Sequence, residues 1–249
     1  MNVPFFVMVK KIILFRLDIL NSEVNIRVFR AIDDEESCIR YLEGHRKVLI
    51  EHGFSHFKTN TQDWFYNPNI YVLIAEDCTT HEYVGGVRLE IADDTYELPS
   101  QKALKKIDPR IVDYIALHQK DGLAEGCGLW NSKSVAGKKI SVLLVRAATA
   151  VSTQLKITKL IAFLATYTSY IIYRMGFVAE TSLGEEGTFN YPTDQFIAKV
   201  YLNDHIFDLK NASDSDKEIM LILRENPIIT LDEMETNTPI RVHYNLKLK

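Results

Sequence analysis

Glu125 is the only acid in the run Leu123-Ala124-Glu125-Gly126-Cys127-Gly128-Leu129-Trp130, where its neighbours are apolar or small. Burying a carboxylate there without a partner costs on the order of several kcal/mol, so the residue needs a reason for its place. Partial burial raises a carboxyl pKa toward the range in which it can take a proton from an amine, directly or through water. The plain alternative is a strand-end glutamate paired with a surface lysine. A few residues on, Ala136-Gly137-Lys138-Lys139-Ile140-Ser141 carries the chain from that strand into a long apolar-striped helix. A helix entered this way leaves several amides unpaired and pointed outward, which suits a phosphate-bearing ligand, and Lys138 and Lys139 add charge. The same junction also serves as an ordinary connection in α/β packing.

Other chemistries find less support. Cys127 neighbours Glu125, but no histidine is identifiable as its activator, so a cysteine nucleophile is not expected. The histidines are scattered, with His45 and His52 nearly two turns apart on one helix, and no metal site is expected. Cys38, Cys78 and Cys127 have no close spacing and an odd count, which fits a reducing, cytoplasmic setting. Lys and Arg number 29 against 33 Asp and Glu, for a net charge of −4 without a basic run, so nucleic acid is not an expected partner. The apolar N-terminus is broken by Lys10, Lys11, Arg16 and Asp18, short of the ~18–20 clean residues of a membrane span, and lacks a signal cleavage site. Ile13, Phe15, Leu17 and Ile19 alternate there as a strand would.

The 249 residues suffice for one core with additions. A strand at IRVFRA is followed by an Asp33-Asp34-Glu35 cap and a helix to about His52, which Gly53 ends. IYVLIAED and EYVGGVRLEIA form a hairpin; Leu98-Pro99 opens a loop; Arg110 to Lys120 is a helix behind Pro109. Then come the strand Leu123 to Trp130, a helix from about Lys138 to Leu155, the strand KLIAFLA, a helix from Thr166 to Met175 stopped by Gly176, and strands at FVAETSLG and QFIAKVYL. After NASDSDKE a short helix covers Lys217 to Arg224. IRVHYNLKL alternates strictly, with Ile240, Val242, Tyr244, Leu246 and Leu248 on one face. That strand can join its own sheet or the edge of a second copy, making a homodimer.

This order resembles the GNAT-type acyltransferase fold over residues 25–203, with extensions at 1–24 and 204–249. The resemblance implies an α/β protein with a mixed, largely antiparallel sheet flanked by helices. In that family the fourth strand leads into an R-G-x-G-x-G turn that cradles the phosphate arm of an acyl thioester, and a later helix ends in Gly-Phe. Here Ala136 to Ser141 occupies the turn, keeping only Gly137, and Gly176-Phe177 is the pair. The chain is more narrowly similar to the acyl-homoserine-lactone synthases and long-chain N-acyl amino acid synthases. The strings that carry this are Arg46-Lys47-Val48 through Gly53-Phe54, Asp63-Trp64-Phe65-Tyr66, Gly85-Gly86-Val87-Arg88-Leu89, and Glu125-Gly126-Cys127-Gly128-Leu129, where Gly128 stands at the family's arginine.

The resemblance implies an N-acyltransferase with Glu125 as base and Arg88, Asp63, Trp64, Phe65 and Arg46 around the substrates. Gly137, Lys138, Lys139, Ile140, Ser141 and Trp130 would hold the donor. A tyrosine four residues before the Gly of Gly-Phe often protonates the departing thiolate; Ile172 is there, and Tyr173 is the nearest candidate. Acyl carrier protein or coenzyme A would bring the acyl group as co-substrate, with no permanently bound cofactor, and the acceptor would be a primary amine such as an amino acid. Alternatives are a non-catalytic module that binds an acyl thioester or carrier protein, and an acetyl-coenzyme A-dependent acetyltransferase.

Overall fold

The structure is a computed structural model that describes residues 22–53, 61–234 and 239–248. The alternation at Ile13 to Ile19 lies outside the described residues. Strands β1 (Glu23–Arg30), β2 (Ile70–Asp77), β3 (Tyr83–Ile91), β4 (Leu123–Asn131), β5 (Lys159–Ala165), β6 (Val178–Ala179), β7 (Phe189–Asn190), β8 (Ile197–Asn203), β9 (Ile228–Glu233) and β10 (Ile240–Asn245) form one ten-stranded sheet. Its order is β6-β8-β5-β4-β3-β2-β1-β10-β9, with β7 also on β8. Most pairs are antiparallel; β4 with β5 and β1 with β10 are parallel. The C-terminal strand β10 thus enters its own sheet between β1 and β9, with Ile240, Val242, Tyr244 and Leu246 buried.

The helices are α1 (Glu35–Glu51), α2 (Pro99–Leu104), α3 (Arg110–Gln119), α4 (Ile140–Val151), α5 (Tyr170–Tyr173) and α6 (Asp214–Glu225). The Asp34 side chain caps α1 by accepting from the Ser37 amide at 3.0 Å, and Gly53 follows it at φ 85°. Against the sequence reading, the stretch after Leu98 is helical. Pro99 at its first position needs no amide partner, and the Gln101 side chain accepts from the Leu98 amide at 2.9 Å. The segment from Thr166 is a 3-10 turn followed by only the four residues of α5, FVAETSLG contributes only the two residues of β6, and β9 is a strand the sequence reading did not include.

One face of the sheet packs α4 and α6 into the main apolar core, with Leu73, Leu89, Ala124, Leu144, Ala147, Met220 and Val242 among its members. That face also contains a buried ionic cluster. Arg146 on α4 is fully buried and donates to Asp216 at 2.7 and 2.9 Å and to Glu233 at 2.8 Å. Tyr244 donates to Glu233 at 2.9 Å and Arg174 to Asp216 at 2.7 Å, so α4 is fastened to α6, β9 and β10. The opposite face is covered by α1, α2 and α3, over cores containing Tyr41, Phe65, Val72 and Trp130 on one side and Leu98, Ile111 and Leu123 on the other.

Candidate active site

The parallel strands β4 and β5 pair only at Leu123 with Lys159, Ala124 with Leu160 and Glu125 with Ile161. Beyond Glu125, β4 runs on to Asn131 without a strand on that side among the described residues, while β5 continues to Ala165 paired with β8. The two strands therefore open a wedge with Glu125 at its apex. The turn leading to α4 lies past the open end of β4. Gly137 adopts φ 81° and Lys139 φ 53°, and both are exposed. The amides of Gly137, Ile140 and Ser141 donate to no acceptor among the described residues; of the three residues Gly137 is exposed, Ser141 half-buried and Ile140 buried, so the Gly137 amide is the one open to an anion. Lys138 reaches back to the Ser22 hydroxyl, and Ser141 donates to the Asn131 side chain, tying helix to strand.

Glu125 is 2 % exposed. Among the described residues it has no lysine as partner: its carboxylate accepts from the Ser100 amide at 2.9 and 3.1 Å and from the Ser100 hydroxyl at 2.7 Å. Burial pushes its pKa up to about 8, the Ser100 hydrogen bonds oppose that, and the charge of Glu90 adds to the rise. Arg88, Glu90, Glu125 and Cys127 share the face of β3 and β4 beneath α1 and α2. Arg88 Nη2 lies 3.0 Å from Glu90 and 3.5 Å from the Cys127 sulfur, and Cys127 donates to Glu90 at 3.2 Å. Burial and then the charge of Glu90 push the Cys127 thiol well up.

Around Arg88 the site is aromatic. Its guanidinium sits 4.4 Å over the Trp64 ring, and Tyr41 packs edge-on to Trp64 and Trp130 at 5.7 and 6.0 Å. Tyr41 donates to the Gly128 carbonyl at 2.5 Å. Gly128 is in the left-handed region at φ 60°, at an irregularity in the β3–β4 register, and a Cβ on it would lie 2.5 Å from the Tyr41 hydroxyl. A side chain there is strained by the backbone conformation and requires Tyr41 to move, which favours glycine at this position. His45 is held neutral, burial and the Arg88 charge lowering its pKa to about 4. Trp64 Nε1, Trp130 Nε1 and Arg88 Nε are buried donors without a partner among the described residues.

The remaining sequence candidates spread out. Phe65 is locked in the core, Tyr66 is exposed and donates to Glu35 at 3.2 Å, and Asp63 and Arg46 face solvent. Trp130 packs against Gly44, where a Cβ would lie 2.2 Å from its ring. Tyr173 is 47 % exposed, its ring 5.5 Å from that of Tyr201. Ser100, Glu90 and Tyr41 were not singled out from the sequence. Glu90 carried a signal, the two-residue strand spacing from Arg88; Pro99 and Gln101 marked the helix that brings Ser100.

No protein-family model and no curated protein matches the chain. Its fold is that of the GNAT-like acyltransferases, shared with solved structures over most of its length. It is similar to FeeM, an N-acyl amino acid synthase from uncultured soil microbes, at a TM-score of 0.55 and 10% identity, covering 80% of this chain and 99% of that one. BjaI, a coenzyme A-dependent acyl-homoserine lactone synthase, aligns at 0.52 and 10% identity over 90% and 96%. An acyl-CoA N-acyltransferase from Pseudomonas aeruginosa aligns at 0.51 and 13% over 72% and 99%. At these identities the likeness is one of fold.

Proposed function

We propose that the protein is an N-acyltransferase that moves an acyl group from a thioester, carried by acyl carrier protein or coenzyme A, to a primary amine such as an amino acid. The observation that carries this reading is the position of Glu125: a buried carboxyl with a pKa near 8 at the apex of a wedge whose open end leads to the turn at Gly137, an exposed residue in the left-handed region. A phosphopantetheine arm entering along the wedge would leave its phosphate at the turn, near Lys138 and Lys139, and bring its thioester toward β4. The acceptor amine adds to the thioester carbonyl, forming the C–N bond. Glu125 takes the amine proton, and the tetrahedral intermediate collapses with loss of the thiolate, which Tyr173 would protonate. Protonated Glu125 then returns its proton to solvent.

The buried donors Arg88 Nε, Trp64 Nε1 and Trp130 Nε1 support an acceptor that brings oxygen atoms into the aromatic cluster, as a carboxylate would. The names of FeeM and BjaI, an N-acyl amino acid synthase and a coenzyme A-dependent lactone synthase, are consistent with that chemistry. A second reading, a thioester-binding module without catalysis, draws on Glu125 lying under Ser100 and on Ala136, Lys139 and Ser141 standing where the turn has arginine and glycines.

One experiment separates these readings. The purified chain is incubated with acyl carrier protein thioesters and coenzyme A thioesters of graded length, with and without a pool of amino acids and other amines, while free thiol and product masses are followed. Amine-dependent thiol release with an N-acyl product supports the enzyme; a complex with donor unchanged in mass identifies the module. Activity confined to acetyl-coenzyme A identifies an acetyltransferase.

A further inference from the structure

Away from the wedge, the parallel pairing of β1 with β10 brings together residues from the two ends of the described chain. Glu23 opens β1, His243 lies in β10, and Cys78 follows β2 with its amide donating to the Glu23 carbonyl at 3.0 Å. One ligand atom from each of Glu23, Cys78 and His243 lies within 4.8 Å of the others. His243 Nε2 is 3.3 Å from Glu23 Oε2, which matches the ~3.3 Å edge of a tetrahedron built on zinc bonds of about 2.0–2.1 Å. The second ring nitrogen, Nδ1, is 2.9 Å from the Thr230 hydroxyl. Donation from Nδ1–H to that oxygen leaves the Nε2 lone pair directed at the cluster, the usual way a metal-binding imidazole is oriented.

Charge and access agree with a cation. The acidic residues Glu76 and Asp77 immediately precede Cys78 in the chain, and Glu23 pairs beside it at the start of β1. The nearby Arg241, 3.8 Å from the other Glu23 oxygen, is taken up by Asp232 at 2.8 and 3.2 Å. His243 also lines a groove of about 680 Å³ with Asn25, Arg27, Glu76 and Thr230, from which a water could complete the coordination. Thiolate, imidazole and carboxylate together suit zinc and cobalt rather than the all-oxygen preference of calcium or magnesium.

We propose that Glu23, Cys78 and His243 bind a zinc-class divalent cation. On binding, the Cys78 thiol gives its proton to solvent as the sulfur–metal bond forms, while His243 and Glu23 contribute existing lone pairs. The ion fastens β10 and β1 to the turn between β2 and β3. Ser22, which accepts from Lys138, is the residue next to Glu23, so the same site steadies the approach to the α4 turn. The proposal stands independently of acyl transfer.

The test uses the full chain stripped with a chelator. Cobalt titration is expected to give a thiolate-to-cobalt charge-transfer band with four-coordinate d–d absorption, saturating at one equivalent and bleached by zinc. Cys78→Ser should abolish the charge-transfer band with the far-ultraviolet circular dichroism unchanged, and zinc should raise the Tm of the natural chain but not of His243→Ala. Thr230→Val should weaken zinc ~10-fold through loss of imidazole orientation. A cobalt complex without a thiolate band, a band that survives Cys78→Ser, or a zinc-independent Tm would each overturn the assignment.

Discussion

Glu90 on β3 and Glu125 on β4 stand directly opposite each other in the antiparallel register, and both are buried. Like charges so placed repel, and Arg88 is bonded to Glu90 rather than to Glu125. Burial first, and then the charge of Glu90, push the Glu125 carboxyl up to about 8.

Glu125→Gln keeps an acceptor for Ser100 but removes the titrating group. Turnover is expected to fall by ~10²–10⁴-fold, the range for a positioned base, with donor binding retained. On the proposed function, kcat of the natural chain should rise with pH through about 8 as Glu125 ionises, and the variant should lack that limb. Stability runs the other way. The folded carboxyl releases its proton at a higher pH than the unfolded one, so between pH 4.5 and about 8 the folded state binds more protons and loses stability as pH rises. Urea unfolding across this range should show a slope of up to ~1.4 kcal/mol per pH unit that is absent from Glu125→Gln; matching slopes would remove the assignment.

Arg88→Met leaves Glu90 buried without its cation. A loss of about 3–5 kcal/mol is expected, read as a lower urea midpoint. The change should also raise KM for a carboxylate-bearing acceptor more than for an uncharged amine, a difference that a purely structural role would not produce.

Gly128→Ala places a methyl group against the Tyr41 hydroxyl and in the left-handed region, for a cost on the order of 1–3 kcal/mol. Tyr41→Phe removes the atom that clashes. The double variant should therefore be more stable than the sum of the single changes. Strict additivity in thermal or chemical unfolding would show that the contact does not limit the site.

Arg146→Met should destabilise the fold by about 3–5 kcal/mol, because Glu233 and Asp216 remain buried. Burial alone would raise the Asp216 carboxyl, but Ser213, Arg146 and Arg174 outweigh it and hold its pKa below the ordinary value. The stability this provides is present above the unfolded pKa, near 3.8, and is lost as pH falls through the folded one. Asp216→Asn should be less stable than the natural chain at neutral pH and converge on it in acid, which an acid-unfolding series would show.

Local pattern made β1, the β2–β3 hairpin, α1, α3, β4 and β5 readable, since their periodicity, caps and glycine stops are written in neighbouring residues. The same was true of Glu125 as an acid out of place and of the turn at Gly137. The short α2 and α5, together with β6 and β9, were less legible, because so few residues carry too little periodic signal and are fixed by what they pack against.

Sequence alone therefore determined the order of the main elements and the residue types available for the proposed acyl transfer. Tertiary structure decided which of them meet: Ser100 on Glu125, Tyr41 on Gly128, Arg146 on Asp216, and Cys78 beside Glu23 and His243. These encounters depend on strand register and on where β4 and β5 part. Such long-range relations are set by burial of whole faces, so no local run of residues encodes them.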